Sequence, residues 1–269
     1  MVIIVGNSII DGIDYFHEGN YKKALSCFQN VEKDDVHYDE ALKCQTFCFI
    51  RLEQYKKALE IINPLISKHP YDDLLWCNKI HCHIFLNEND KALKYLGELE
   101  RLIDEKDISD IVMVANLYNM LNEYDKALIY SDKALAIDES YIKAIYQKIF
   151  AVMGKDDDVM LNEATDLLLK HSGNNFMNRV PAFLIKLFSK EYRQALDIVE
   201  NCNHEEFDSD TFELLKSAIY VRMCDDLSVN VVTAEKCEIS VDEALEILFD
   251  YVESGKTSGT IGEVKYFIK

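Results

Sequence analysis

Hydrophobic side chains recur along this chain at the three- and four-residue steps of amphipathic helices, and the predicted helices come in pairs. In the first pair, Ile9, Ile13 and Phe16 fall on one helical stripe. A second stripe runs from Tyr21 to Phe28 after a short polar turn. The pattern therefore predicts two amphipathic helices joined by a tight connection.

This pair of helices is repeated. The clearest marker is an Ala-Leu dipeptide whose alanine returns after 34, 34 and 35 residues, at Ala24, Ala58, Ala92 and Ala127. Three of the four alanines follow a tyrosine placed three positions earlier. A fixed period of this length is typical of a solenoid, in which each repeat buries its apolar face only against its neighbours.

The period continues into the second half of the chain, where the phrase is less regular. Ala164 and Ala195 lie 37 and 31 residues further on, which together make two periods. Ala244 follows after 49 residues, which predicts an insertion near residues 226–239. The predicted organisation is four well-matched hairpins in 1–144, three degenerate hairpins in 145–253, and a C-terminal tail in 254–269.

The repeated phrase resembles the tetratricopeptide repeat (TPR) family. The aromatic residue that this family places before the alanine is present at Tyr21, Tyr55 and Tyr124. Its small residue on the first helix is matched by Gly12, Thr46 and Ala115. The third repeat departs from the pattern, with Ile80 and Asn89 at these two sites. The resemblance implies an all-α fold, a right-handed α-solenoid of about seven helical hairpins.

The resemblance also implies that the first helix of each repeat lines a concave groove. The residues at the groove positions of repeats two to four form the candidate binding set: Lys43, Phe47, Arg51, Cys77, His81, Phe85, Val112, Asn116 and Asn119. Apolar groups in this set supply affinity, and the amides can pair with the backbone of an extended peptide. We therefore expect a non-catalytic scaffold that binds a protein or peptide segment. The alternative for Phe47 and Phe85 is that they pack between repeats.

The net charge of −19 disfavours nucleic acid and anionic membrane surfaces as partners, because both require clustered Lys and Arg. The charge is uneven, since Glu200–Glu253 holds 15 acidic and three basic residues. This stretch is either a solvated surface or a docking face for a basic partner. Self-association through exposed apolar surface of the degenerate repeats is a further possibility.

The eight cysteines are best interpreted as free thiols in a reducing cytoplasm, because nothing in the sequence resembles a signal peptide or a membrane span. A competing hypothesis is a thiol- or metal-responsive regulator, since two Cys or Cys/His pairs are spaced four residues apart on neighbouring first helices. These pairs are Cys44 with Cys48 and Cys77 with His81. Catalytic motifs are lacking, so we expect neither enzymatic activity nor a cofactor or metal.

Overall fold

The computed structural model describes residues 4–202, 209–229, 231–233, 240–254, 258–261 and 264–268. Within these ranges the chain forms fourteen helices and three short strands. The helices are α1 (Ile4–His17), α2 (Tyr21–Gln29), α3 (Tyr38–Arg51), α4 (Tyr55–Lys68), α5 (Asp73–Phe85), α6 (Asn89–Leu99), α7 (Ile108–Met120), α8 (Tyr124–Ile137), α9 (Ile142–Gly154), α10 (Asp158–His171), α11 (Phe176–Phe188), α12 (Tyr192–Glu200), α13 (Ser209–Leu227) and α14 (Val241–Ser254). The strands are β1 (Val231–Thr233), β2 (Ser258–Ile261) and β3 (Val264–Ile268).

The chain divides into two compact units. The first comprises Met1–Glu139 and Phe150–Lys155, and the second comprises Ser140–Ile149 and Asp156–Lys269. Within the first unit, helices pack as hairpins, α1 with α2, α3 with α4, α5 with α6, and α7 with α8. In the second unit α11 packs with α12 and α13 with α14. No helix in the described ranges combines the length and the apolar character needed to cross a membrane.

The repeated alanine lies fully buried in the packing of the helices. Ala24, Ala58, Ala92, Ala127 and Ala195 are all 0% exposed. A small residue on the first helix serves the same purpose in the first repeat. A Cβ placed on Gly12 would lie 2.6 Å from the ring of Phe28, so only glycine fits there.

A left-handed turn residue separates the two helices of each of the first six repeats. Positive φ angles recur with a period of 34 or 35 residues, at Gly19, Glu53, Asn87, Asn122, Asp156 and Lys190. The next amide closes the turn: the Gln54 N–H donates to the Phe49 carbonyl at 2.8 Å, and Glu191 donates to Lys186 at 2.9 Å. This is the Schellman arrangement, which satisfies carbonyls at a helix end. The backbone period thus persists in repeats five and six, where the side-chain pattern is weaker.

The repeated tyrosine contacts the following repeat. Tyr21, Tyr55 and Tyr124 lie against Arg51, Phe85 and Gly154, each 30 positions later at the C-terminal end of the next first helix. Tyr55 stacks on Phe85 with ring centroids 5.1 Å apart and an interplanar angle of 10°. The ring of Tyr21 lies 5.9 Å from the Arg51 guanidinium carbon. These contacts fix the junctions between repeats in the first compact unit.

The C-terminal part of the chain contains a small antiparallel sheet for which the helical pattern gave no indication. Its strand order is β1-β3-β2, with Val232 opposite Phe267 and Thr260 opposite Lys265. The expected insertion thus contributes β1, and the expected tail contributes β2 and β3. Three- to five-residue strands are too short to register in a search for helical periodicity. Residues 230, 234–239, 255–257, 262–263 and 269 lie outside the described ranges.

The close approach at the repeated alanine can be tested by overpacking. We expect Ala127→Leu to lower the free energy of unfolding by about 1–3 kcal/mol, because the added atoms meet a filled interface. The matched control is Ala136→Leu on the same helix, where the alanine is exposed and the change should cost less than about 0.5 kcal/mol. Urea unfolding followed by circular dichroism measures both. Equal effects at the two alanines would contradict the packing role.

The left-handed turn can be tested at Glu53, whose φ is 58°. We expect Glu53→Gly to raise the free energy of unfolding by about 0.5–1 kcal/mol, because glycine adopts this conformation without steric cost. Glu60→Gly, at an exposed site inside α4, should instead lower it by a similar amount. The same denaturation experiment distinguishes the two, and a destabilising Glu53→Gly would show that the turn carries no strain.

Candidate functional site

The first helices of repeats two to four pack in series. Helix α3 contacts α5, and α5 contacts α7. The structure therefore brings together the three helices that carry all nine candidate residues. Along α3, Lys43, Phe47 and Arg51 are spaced four residues apart and so share one face.

Lys43 connects two of these helices. Its Nζ atom lies 2.8 Å from Oδ2 of Asp72, the N-cap residue of α5, whose Oδ1 atom accepts from the Leu75 amide at 3.1 Å. The hydrogen bond with Asp72 raises the pKa of Lys43. The lysine charge is thus largely used within the protein, to hold α3 against the start of α5.

Phe47 lines a cavity of about 160 Å³ between α1 and α3. The walls are mostly apolar and comprise Ile13, Phe16, His17, Phe28, Cys44 and Phe47. Side chains from the first hairpin and from α3 therefore shape the cavity jointly. Its volume is on the scale of a single aliphatic side chain, so it can act as an anchoring pocket.

Arg51 and Phe85 each lie partly in a junction between repeats and partly on the exposed surface. Each contacts the repeated tyrosine of the preceding repeat, so part of each side chain belongs to the junction. Phe85 nevertheless remains 49% exposed, and Arg51 is exposed as well. Both interpretations of Phe85 thus hold, because one ring face packs between repeats while the rest of the side chain is accessible.

The candidates on α5 form a partly buried pair. Cys77 is buried, and its Sγ atom lies 3.8 Å from Nδ1 of His81. Burial lowers the pKa of His81 and raises that of the Cys77 thiol to about 12. At neutral pH both groups are therefore uncharged, so the pair offers a weak hydrogen-bonding site and not an ionic one.

The candidates on α7 lie deeper than the others. Val112 and Asn119 are buried, whereas Asn116 is half-buried. The rotation of α7 directs the first two into the packing between helices. Of the α7 candidates, Asn116 is the one that a bound segment can reach directly.

The geometry offers no support for a metal centre at Cys44, Cys48, Cys77 and His81. Within the described ranges, no three His, Cys, Asp or Glu side chains come together in an arrangement that could hold a metal ion. Burial also raises the pKa of Cys48 to about 12 and raises that of Cys44. Since the thiolate is the reactive form of cysteine, these thiols are poorly suited to sensing oxidants.

One polar cluster contains none of the residues predicted from the sequence. The carboxylate of Glu100 accepts from the hydroxyls of Tyr118 and Tyr130 at 2.6 and 2.7 Å, and the two rings lie 5.7 Å apart. Burial, followed by the bond to Glu100, raises the pKa of both tyrosines. The cluster ties the end of α6 to α7 and α8. No spacing rule marked Glu100, because the carboxylate lies between repeats and outside the repeated phrase.

The second compact unit contains a larger cavity, of about 470 Å³, between α12, α13 and α14. Its charged groups are satisfied within the protein. Arg193 pairs with Glu253 at 2.7 Å, and Lys190 lies 3.4 Å from Asp226, which also accepts from the Tyr192 hydroxyl. With its charges paired internally, the cavity is better suited to linking helices than to binding a charged ligand.

A second feature outside the predicted set is the exposed face of α11. Met177, Leu184 and Phe188 are 65%, 42% and 64% exposed. The predicted binding residues all belong to the well-matched repeats, so these three side chains are not among them. Their helical spacing was a usable signal.

No family model matches the chain, but several solved structures are similar to it. A tetratricopeptide repeat protein from Parabacteroides merdae has a TM-score of 0.57 and 14% identity, over 91% of this chain and 99% of that chain. A thermophilic TPR protein of Thermus thermophilus has a TM-score of 0.53 and 20% identity, over 66% and 96%. A MamA double mutant of strain RS-1 has a TM-score of 0.51 and 16% identity, over 64% and 96%.

The chain has the TPR fold. The prediction of an all-α TPR solenoid is thereby confirmed, with the three-stranded sheet as an addition. At these sequence identities the similarity establishes the fold alone. Any function has to be argued from the surfaces of this protein itself.

The thiol interpretation leads to a labelling prediction. We expect Cys48, Cys77 and Cys82 to react with a disulfide reagent at pH 8 at least 100-fold more slowly in the folded protein than in urea, because burial raises the pKa of each to about 12. Mass spectrometry of labelled peptides gives the rate at each site. The half-buried Cys27 provides the internal comparison. Rapid native labelling of Cys77 would revive the thiol-sensor hypothesis.

Proposed function

We propose that this protein is a non-catalytic TPR scaffold that binds an extended protein segment across the first helices of repeats two to four. The observation that carries the proposal is the serial packing of α3, α5 and α7, which leaves mixed apolar and polar groups accessible on neighbouring helices. The accessible members are Phe47, Arg51, His81, Phe85 and Asn116, with Lys43 partly committed to Asp72.

Phe47, Asn116 and Arg51 have distinct roles in this proposal. An apolar side chain of the partner enters the cavity beside Phe47, where burial of apolar surface supplies affinity. The Asn116 amide pairs with the partner backbone, and Arg51 donates to a carbonyl or carboxylate. The helices are held by their own packing, so the partner bears most of the ordering cost.

The pKa shifts of two buried groups support a binding role over a catalytic one. General acid–base and nucleophilic catalysis need groups whose pKa lies near the working pH. Here burial moves the pKa of Cys77 and Tyr118 upward, away from neutrality. The candidate surface therefore presents hydrogen bonding and apolar contact in place of an activated nucleophile.

We further propose a cytoplasmic location. None of the seven cysteines in the described ranges forms a disulfide, and five of them are buried: Cys48, Cys77, Cys82, Cys202 and Cys224. Reduced thiols of this kind suit a reducing compartment. The acidic net charge of −19 favours protein partners over nucleic acid.

The groove can be tested with a displayed library of random peptides of about ten residues, long enough to cross three packed helices. We expect selected binders to lose at least tenfold in affinity, about 1.4 kcal/mol, with Phe47→Ala and to lose less with Asn116→Ala. The matched control is Ile129→Ala, at an exposed site on the second helix α8. Fluorescence anisotropy measures the affinities, and circular dichroism verifies the fold. If binders keep their affinity for Phe47→Ala but lose it for Ile129→Ala, the site lies on the second helices and not on the first.

A further inference from the structure

Each second helix of the first compact unit begins just after a left-handed turn, and the second residue of each of these helices is exposed. This residue is lysine in the first two repeats and aspartate in the next two, at Lys22, Lys56, Asp90 and Asp125. Because consecutive repeats stack on each other, equivalent positions follow one another along the unit. The charge at one position of the repeat thus changes sign between repeats two and three.

The first two repeats carry an excess of lysine on their second helices. Helices α2 and α4 together contain five lysines and one glutamate, although the whole chain has a net charge of −19. Four of these lysines lie in the first turn of their helix and are exposed. We name these four residues the basic edge: Lys22, Lys23, Lys56 and Lys57. The left-handed turns beside them contribute one acidic residue each, Glu18 and Glu53, so the edge stays positively charged.

Two contacts hold the halves of the basic edge side by side. Leu25 of α2 packs against the apolar cluster that contains Ala58 of α4. The Arg51 guanidinium carbon lies 5.9 Å from the ring centroid of Tyr21, the first residue of α2. Arg51 precedes the turn that leads into α4, so its charge lies between the starts of the two helices.

The charges of the basic edge are not neutralised within the protein. None of its four lysines forms an ion pair with a residue in the described ranges, whereas Lys91, one repeat later, pairs with Glu88 at 3.0 Å. The ammonium groups of Lys23 and Lys57 lie 5.0 and 5.8 Å from aromatic ring centroids on the first helix of their own repeat. An aromatic face orients an ammonium group without removing its charge, so these lysines still attract carboxylates.

A crevice of about 430 Å³ adjoins the basic edge. Its apolar wall consists of Leu86 and of the Tyr55 ring, which is held by stacking on Phe85 at 5.1 Å. The remaining lining residues come from the turn and from the first turn of α4: Glu53, Gln54, Lys56 and Lys57. The surface can therefore accept an apolar side chain directly beside two of the lysines.

We propose that the basic edge binds an acidic segment of a partner protein that carries one large apolar residue. The carboxylates of the segment face Lys22 and Lys56, and the apolar side chain enters the crevice beside Leu86. Complementary charge selects the partner and speeds its association. The proposal concerns the turns and the second helices, so it goes beyond the groove proposed on the first helices and does not depend on it.

A long polyanion is a poorer occupant than a short acidic segment. Asp90 and Asp125 present the opposite charge in the next two repeats, and the chain has a net charge of −19. A nucleic acid that extends past repeat two meets this negative surface, and its binding depends on many phosphate contacts. A short acidic segment can end where the charge changes sign.

The first test uses labelled synthetic peptides of about 12 residues, which span about 40 Å when extended. One peptide has glutamates on both sides of a leucine, a second has lysines in place of the glutamates, and a third has serine in place of the leucine. We expect the first to bind about tenfold more tightly than the third, because its leucine is buried in the crevice, and the second not to bind. Its affinity should fall about tenfold between 50 and 300 mM salt, as charge is screened. A short oligothymidylate of the same net charge is the nucleic-acid control, and fluorescence anisotropy measures all affinities.

Protein variants then locate the site. Lys22→Glu combined with Lys56→Glu should weaken the first peptide about tenfold. The matched control is Lys94→Glu combined with Lys106→Glu, which makes the same change in net charge at exposed sites away from the edge and should change the affinity less than about twofold. Arg51 is kept in all variants, because the proposed groove also uses it. Thermal unfolding confirms that each variant is folded.

A gain of affinity tests the change of sign itself. Asp90→Lys extends the basic edge into repeat three, so we expect it to tighten binding of the first peptide about threefold. Asp166→Lys, at an exposed site in the second unit, makes the same change in net charge and should have no effect.

Four results would overturn the proposal. Equal losses in the Lys22/Lys56 and Lys94/Lys106 double variants would reduce the interaction to net charge. Equal affinity for the leucine and serine peptides would remove the crevice from the site. An oligothymidylate that binds as tightly as the acidic peptide would make the edge a general polyanion site. A concentration-dependent dimer in sedimentation, abolished by Lys22→Glu with Lys56→Glu, would make the occupant an acidic surface of a second copy. None of these variants alters Phe47, so the edge and the groove succeed or fail separately.

Discussion

The architecture depends on one steric constraint, the fully buried alanine on each second helix. With no side chain beyond Cβ, this residue lets paired helices pack closely, and the apolar residues around it complete the interface. Ile62 and Leu96, which follow four residues after Ala58 and Ala92, are also 0% exposed. The hairpins of the first compact unit thus share one packing contact around the buried alanine. This contact also fixes the position of the first helices and of the side chains that they expose.

The backbone preserves the repeat more faithfully than the side chains do. The left-handed turn returns at Asp156 and Lys190, although lysine, unlike aspartate, is not a residue type that favours this conformation. Repeat proteins tolerate this because the turn geometry is imposed by two helices that must pack antiparallel. Side-chain divergence in the second half of the chain therefore changes the surface while leaving the hairpin intact.

Sequence periodicity predicted the helical hairpins because amphipathic spacing is a property of each helix by itself, and the TPR fold was predicted from the resemblance of the repeated phrase to that family. It could not predict which face of α7 points outward, since helix rotation depends on packing partners that are distant in sequence; Val112 and Asn119 are buried for this reason. It likewise gave Arg51 and Phe85 as groove residues without their contacts to the preceding tyrosines. The sheet of β1, β2 and β3 brings together segments whose pairing no local pattern encodes.

The tyrosine junctions, each spanning 30 residues, set the range over which the first unit is coupled. Because these contacts reach only one repeat ahead, the first unit behaves as a linear lattice, in which the stability of each repeat depends on the repeats directly next to it. In such a lattice a change in one hairpin acts chiefly on the hairpins next to it. The cavity beside Phe47 is lined from α1, α2 and α3, so a side chain that filled it would bridge the first two repeats and stiffen the junction between them.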